Sequence, residues 1–507
     1  MRASTGRIVA AFLVVLTVLA AGVTPAAAAR RSTGIAWKPC PNDGTAQCGT
    51  LRVPIDWDDP YSPPVDIAVS RRTATDPARR IGTLIVNPGG PGGSGVDFAL
   101  GAGAFFSTAL RARFDIVGFD PRGVGRSHPV VCARALVDAA PDPLITSATA
   151  YAAAVAYNRR LAVDCRTRTG PIFDHVDTLS AVRDLDALRA ALGQEKISFY
   201  GASYGTLLGA QYADRYPRRV RAIALDSVMD HSAGVDDFLG IATDAAQDAF
   251  DEFVAWCARD TMCAVRGRDI PALWAGLLAR AATGTLRDPY DPARTMTVFA
   301  LLGVAFSSFY QPQWYALAYY LKEADTAVAA KQAGEDAQIE HGFPALFCAD
   351  WALPIAGYAD LKGRLDALTA RAPQMLASPL ALSATVGCLG WPSRPDNPQR
   401  PLRPAGTPTL LVNARHDPAT AYAWARHVAA QLGPAARLVP YEGWGHVAYG
   451  RSDCVTGVID RYLIDARTPP AGTSCPGVPP SPFGVGGTGG VGEVGKRVPV
   501  VPAGDPR

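Results

Sequence analysis

The 507-residue chain has no block of like charges, and its formal net charge is only +3. Nucleic acid and anionic membrane surfaces therefore have no electrostatic handle on it. None of its ten cysteines forms a C-x-x-C pair, so the ligand spacing of zinc and dithiol redox sites is missing, and no metal is expected. The glycine-rich stretch at 87–95 is not followed by Gly-Lys-Ser/Thr, which excludes a phosphate-binding P-loop. No repeat of 20–50 residues is present, so solenoids and propellers drop out. What remains is 48% hydrophobic and 19% charged. That composition fits a globular chain with one large core and an inserted subdomain, or two domains.

The N-terminus has the makings of an export signal. Arg2 and Arg7 precede an apolar run from Ile8 to Val23, followed by Thr24, Pro25 and four alanines ending at Ala29. A basic start, an apolar segment too short for a comfortable span, and small residues after helix breakers predict a signal peptide over 1–29, cleaved near Ala29. No stable membrane anchor is expected. Arg30 and Arg31 follow the apolar run, so they form no twin-arginine signal, and no cysteine stands at the cleavage site to take a lipid. A secreted location agrees with an even number of cysteines. Their order suggests pairing of neighbours: 40–48, 132–165, 257–263, 348–388 and 454–475.

Short apolar runs end in turn-rich stretches, with helical patterns between them. Thr83–Val86, Phe114–Val117, Ile197–Tyr200, Arg221–Leu225, Thr409–Val412 and Arg437–Pro440 read as strands. Brief strands alternating with helices predict an α/β class with a mostly parallel sheet and helices on both faces. From 229 to 405 helical patterns dominate: Asp236–Ala258, Pro271–Ala282, Trp314–Ala327 and Ala359–Leu368. This reads as a helical lid inserted between a first core part (30–228) and a C-terminal core part (406–475). The Pro/Gly/Val-rich 476–507 reads as a flexible tail.

Gly201-Ala202-Ser203-Tyr204-Gly205 lies between a strand and the helix pattern Thr206–Tyr216. A G-x-S-x-G turn in that setting projects the serine hydroxyl beyond the sheet, as a nucleophile requires. Asp417, after the Thr409–Val412 strand, and His446, after the Arg437–Pro440 strand, follow in the order Ser, Asp, His. The imidazole would take the serine proton and the carboxylate would hold the imidazole tautomer. Asp226 is the rival acid, from an earlier strand. His128, His175, His231, His341, His416 and His427 are the other histidines, read as surface or core residues. The Asn87–Gly95 loop places glycine N–H groups near a developing oxyanion, with Gly90 and Tyr204 as the donors.

Together the N-P-G-G-P-G-G-S-G run at 87–95, Gly118–Ser127 (GFDPRGVGRS), Gly201–Thr206, Asp417–Thr420, Gly445-His446 and Phe347-Cys348-Ala349-Asp350-Trp351 resemble the secreted tripeptidyl aminopeptidase and prolyl-iminopeptidase-like peptidases of the α/β-hydrolase superfamily. The resemblance spans roughly Trp37 to Cys475. It implies a serine exopeptidase without cofactor that releases short peptides or single residues from free N-termini. It also implies an acidic lid residue for the substrate ammonium. Asp350 is the candidate, with a helix cap or a structural hydrogen bond beside a disulfide as its alternative, and Glu442, Asp236 and Asp237 as further acids. Asp120 and Arg122 read as loop organisers. Ala-Thr-Ala after Asp417-Pro418 departs from the Thr-Pro pair of many members, which bears on substrate preference and leaves the triad intact. A carboxylesterase of the same fold and a catalytically silent binding protein are the competing readings. Oligomeric state is not legible.

Overall fold

The computed structural model describes residues 34–324, 338–403, 406 and 408–482. The expected signal peptide and the tail beyond 482 lie outside the described residues. The strands are β1 (Lys38–Cys40), β2 (Asp43–Pro54), β3 (Pro64–Arg72), β4 (Gly82–Asn87), β5 (Phe114–Phe119), β6 (Val131–Ala133), β7 (Ile197–Ala202), β8 (Val220–Asp226), β9 (Gln338–Glu340), β10 (Thr409–His416), β11 (Ala436–Trp444) and β12 (Cys475–Pro476). Ten of them form one sheet in the order β1-β2-β3-β5-β4-β7-β8-β10-β11-β12, and β6 pairs with β9 separately. From β5 through β12 the neighbours run parallel. The fold is that of an α/β hydrolase: a large, mostly parallel sheet between layers of helix.

Every residue of β4 except Gly82, and all of β5 and β7, is buried. Strands covered on both faces carry apolar residues at consecutive positions, which is why GTLIVN, FDIVGF and ISFYGA stand out in the sequence. Alternate residues serve opposite faces. Ile85, Val117, Phe199, Ile223 and Leu411 pack into one core, while Leu84, Ile116, Tyr200, Ala222 and Leu410 pack into the other. The antiparallel β1–β3 edge lacks this signature. β3 has the burial pattern of a half-exposed strand, and the sequence reading did not separate it.

Between β8 and β10 the described residues hold seven helices: Val235–Arg259, Ile270–Ala282, Val298–Tyr310, Trp314–Ala324, Phe343–Asp350, Tyr358–Arg371 and Pro379–Gly387. Asp269 and Thr297 start two of them by accepting hydrogen bonds from Ala272 N and Ala300 N, satisfying donors that a helix N-terminus leaves open. The insertion has a core of its own around Phe250, Phe253, Trp256, Trp274, Phe309 and Trp314. Five disulfides join neighbouring cysteines: 40–48, 132–165, 257–263, 348–388 and 454–475. The last ties β12 to the helix Asp453–Asp465. The chain stays docked a little past the expected boundary, because Val478 N donates to the Tyr441 hydroxyl at 3.0 Å.

Candidate active site

Loops at the carboxyl ends of β4, β7, β10 and β11 converge, as expected for open parallel sheets. Ser203 follows β7 with φ 56° and ψ −128°, a strained conformation for a residue with a side chain. The turn is held by Ser203 N donating to Asp226 O at 2.9 Å and Thr206 N donating to Ser203 O at 2.8 Å. Its crowding explains the flanking glycines. A Cβ on Gly205 would sit 2.6 Å from Asn87 Oδ1, and one on Gly89 would sit 2.4 Å from Ala202 O. The glycine loop therefore packs directly against the serine turn. Gly90, Pro91, Ser203 and Tyr204 line one cavity. Tyr204 opens the helix Tyr204–Arg215, whose first N–H groups have no intrahelical acceptor.

His446 and Asp417 are both fully buried. His446 Nδ1 lies 3.0 Å from each Asp417 carboxylate oxygen. The carboxylate also accepts from Ala419 N at 2.9 Å, Thr420 N at 3.0 Å and the Thr420 hydroxyl at 2.9 Å. Burial alone would push the Asp417 carboxyl up. The His446 imidazole and hydrogen bonds from His446, Thr420 and Ser227 outweigh it and hold the group below its usual range. The carboxylate is thus ionised and fixed, which selects one imidazole tautomer. His446 Nε2 is buried without a hydrogen-bond partner, an arrangement that leaves it able to accept a proton.

Asp226, the rival acid, makes no hydrogen bond to the His446 imidazole and has other partners. Its carboxylate accepts from Ala448 N, Tyr449 N and the Tyr200 hydroxyl, each at 2.8 Å. Ser227 Oγ accepts from Val447 N at 2.8 Å. The end of β8 therefore shapes the loop just after His446. Burial pushes the Asp226 carboxyl up, against these hydrogen bonds.

Three contacts escaped the sequence reading. Tyr310, the last residue of the helix Val298–Tyr310, lies against the His446 ring with centroids 4.4 Å apart. Its carbonyl accepts the His446 N–H at 2.9 Å. Buried Arg451 donates to His446 O at 2.6 Å, Val447 O at 2.7 Å and Tyr310 O at 3.3 Å, binding the insertion to the histidine loop. Thr420 Oγ1 stands 3.2 Å from His446 Nδ1. Only Thr420 carried a signal, as the third residue after the acid. Tyr310 closes an apolar helix (VFALLGVAFSSFY), where one more aromatic residue attracts no notice.

The cavity beside Ser203 is otherwise lined by Met229, Phe238, Phe343, Phe347, Leu380, Ala381, Ala384, Ala419, Thr420 and Trp424. No carboxylate is among these residues. Asp350, expected to meet a substrate ammonium, is instead 1% exposed. Its Oδ1 accepts from Thr178 N (2.8 Å) and Asn397 Nδ2 (2.9 Å), its Oδ2 from the hydroxyls of Thr178 (2.5 Å) and Tyr204 (2.6 Å). With four donors already bound it has no lone pair left for a ligand. The alternative, a structural hydrogen bond beside the Cys348–Cys388 disulfide, describes its place. The weaker candidates also lie elsewhere: Glu442 pairs with Arg415, Asp236 pairs with Arg364, and Asp237 is exposed. Asp120 accepts from Ser94 Oγ, Val96 N and Arg126 N, organising its loops as expected. Among the described residues no group of three or more His, Cys, Asp or Glu side chains could hold a metal ion, and no helix is long and apolar enough to cross a membrane.

Residues 82–451 match the model of the alpha/beta hydrolase fold family. Serine protease Hip1 of Mycobacterium tuberculosis is 31% identical over 479 residues, covering 87% of this chain and 91% of that protein. A tripeptidyl aminopeptidase of Streptomyces lividans is 30% identical over 491 residues, covering 90% and 89%. Carboxylesterase B of Mycobacterium tuberculosis is 34% identical over 465 residues, covering 85% and 86%. With fold, motif order and these relatives in agreement, the chain belongs to the α/β-hydrolase family and is a serine hydrolase.

Proposed function

We propose that this chain is a secreted serine exopeptidase that releases short peptides (tripeptides) or single residues from free N-termini through an acyl-enzyme. The observation that carries the catalytic part is the fixed Asp417–His446 pair, whose Nε2 is unengaged, reached from the same set of loops as the strained Ser203. In the first half-reaction Ser203 Oγ bonds to the scissile carbonyl carbon as its proton passes to His446 Nε2. The N–H groups of Tyr204 and Gly90 stabilise the oxyanion. His446 then returns the proton to the departing amine and the C–N bond breaks. Water repeats the cycle, giving up its proton to His446 and releasing the acid with Ser203 restored. No cofactor takes part.

The peptidase assignment is supported by relatives named as a serine protease and a tripeptidyl aminopeptidase. Secretion is supported by the five disulfides, since such bonds persist in oxidising compartments. A specific observation favours carboxylesterase activity as the second reading: the apolar cavity presents no carboxylate to an ammonium group, and one relative bears the name carboxylesterase B.

The test is a panel of free-amine Ala, Pro and Ala-Pro-Ala p-nitroanilides, their N-blocked versions and p-nitrophenyl esters, assayed with wild type and Ser203→Ala. Turnover confined to free-amine peptides and lost in the variant supports the proposal. Ester turnover alone makes the chain an esterase, and undiminished activity in Ser203→Ala would falsify the nucleophile.

A further inference from the structure

The four-donor setting of Asp350 joins parts of the molecule that are far apart in sequence. Thr178 begins the core helix Thr178–Ala191. Tyr204 begins the helix that carries the nucleophile turn. Asp350 ends the insertion helix Phe343–Asp350. Asn397 belongs to the segment returning to the sheet and is held in turn by Gln211, at 3.1 and 3.2 Å. The Asp350 carbonyl accepts a 2.7 Å hydrogen bond from His231 Nε2, and the His231 ring meets Trp351 at 4.8 Å. So many satisfied polar groups in a buried setting fix one arrangement.

Two further facts give this cluster a direction. Phe343, Phe347 and Asp350 follow i, i+4, i+7 spacing and so share one face of their helix. The two rings line the cavity beside Ser203, while the carboxylate grips the Tyr204 hydroxyl at 2.6 Å. Tyr204 is also the residue whose backbone N–H faces the oxyanion in the reaction given above. One rigid helix thus touches the acyl cavity with one end of its inner face and the oxyanion donor's side chain with the other.

We propose that Asp350 is a positioning residue for acyl transfer: through the Tyr204 hydroxyl it locks the insertion onto the nucleophile helix and sets the direction of the Tyr204 N–H. This rests on the serine-hydrolase mechanism proposed above. The substrate's ammonium plays no part in it. Misplacing an oxyanion donor by a fraction of an ångström weakens transition-state contacts while ground-state binding persists. The loss therefore falls on kcat.

The experiment compares wild type, Tyr204→Phe, Asp350→Asn, the double variant and Thr178→Val on one p-nitroanilide and one p-nitrophenyl ester. Tyr204→Phe keeps the ring and the backbone N–H and removes only the latch, so it stays informative should Asp350→Asn fail to fold. The expected result is a fall in kcat of about tenfold on both substrates with KM within about twofold. The double variant should be no worse than the poorer single one, because both remove the same bond. Thr178→Val removes a different donor to the same carboxylate; its kcat should stay within about twofold of wild type while its thermal midpoint drops. Wild-type kcat in Tyr204→Phe overturns the proposal. So does an equal kcat loss in Thr178→Val, which would make the cluster merely structural. Fluorophosphonate labelling of the wild type separates the two levels: a Ser203 that never labels sinks the mechanism itself, whereas normal labelling with an unaffected Tyr204→Phe sinks only the role of Asp350.

Discussion

Replacing Asp417 and Asp226 separately by Asn tests which buried carboxylate serves His446, and the structure assigns the two variants opposite signatures. Asp417 contacts the imidazole Nδ1 through both oxygens. An amide there keeps the shape and loses the ionised acceptor that selects the tautomer. In serine hydrolases that exchange lowers kcat by about 10⁴. Asp226 receives three hydrogen bonds, two of them from backbone N–H groups. Asn offers one acceptor oxygen, and its NH₂ group then confronts a backbone N–H. The Tyr200 hydroxyl can turn to accept, but a backbone donor cannot. One orphaned buried N–H costs about 1–3 kcal/mol, and loss of the charge-assisted character of the other bonds adds about 1. Asp226→Asn should therefore lose about 3 kcal/mol of stability in urea titration, while its kcat under native conditions falls no more than about tenfold. Near-wild-type turnover by Asp417→Asn, or a 10⁴-fold fall in a fully folded Asp226→Asn, would refute the assignment.

Three further outcomes are expected. Arg122 and Asp184 form a buried ion pair at 2.7 Å, with the guanidinium also bound to Pro54 O, Ile55 O and His175 O. Arg122→Met should cost about 3–5 kcal/mol in urea titration by leaving Asp184 unpaired, with kcat unchanged. Removing the Cys348–Cys388 bond, whose partners are 40 residues apart, should cost up to about 4 kcal/mol on the chain-entropy relation, read from the denaturation midpoint of the Ser/Ser variant. Burial, with the charge of Asp177, raises the Asp350 carboxyl to about 7, against hydrogen bonds from Thr178 and Tyr204. Between the unfolded value and 7 the folded chain therefore holds the extra proton. Stability from this group is present at low pH and lost as pH rises through 7. Burial meanwhile lowers His231 to about 4, which opposes that trend between 4 and 6.5. The stability of wild type relative to Asp350→Asn, measured by urea titration, should rise as pH falls from 7 to 4; a flat difference would refute this.

The candidate loops after β4, β7 and β10 were legible because each follows a largely buried parallel strand. Such strands leave runs like TLIV and ISFY, and the chemistry of a sharp turn leaves G-x-S-x-G. Asp417 and His446 were singled out by chain order, by their place after predicted strands and by the family motifs, since no spacing rule links residues from different strands. Asp350 shows the limit. The sequence shows an acid near a cysteine in an inserted helix, and the resemblance implies an acidic ammonium ligand there. Its partners lie 172, 146 and 47 positions away, so nothing local records that its valences are already taken. The helix Val298–Tyr310 escaped for a different reason. It is apolar nearly all round because the insertion has its own core, and a buried helix of this kind has no polar face to mark its period. The β1–β3 edge is antiparallel and half-exposed, and its alternation is interrupted by glycine and cysteine in DGTAQCGTLRVP.

The disulfides carry a consequence for how the molecule is assembled. The ten cysteines pair as successive neighbours along the chain, with separations of 8, 33, 6, 40 and 21 residues and no crossing. A chain that emerges N-terminus first always presents the correct partner before any later cysteine competes for it. Oxidation in order of appearance would therefore give this set without rearrangement. None of the five joins the helical insertion to the sheet. Beyond the continuous backbone, only packing and hydrogen bonds such as those of Asp350 and Arg451 hold the insertion against the sheet.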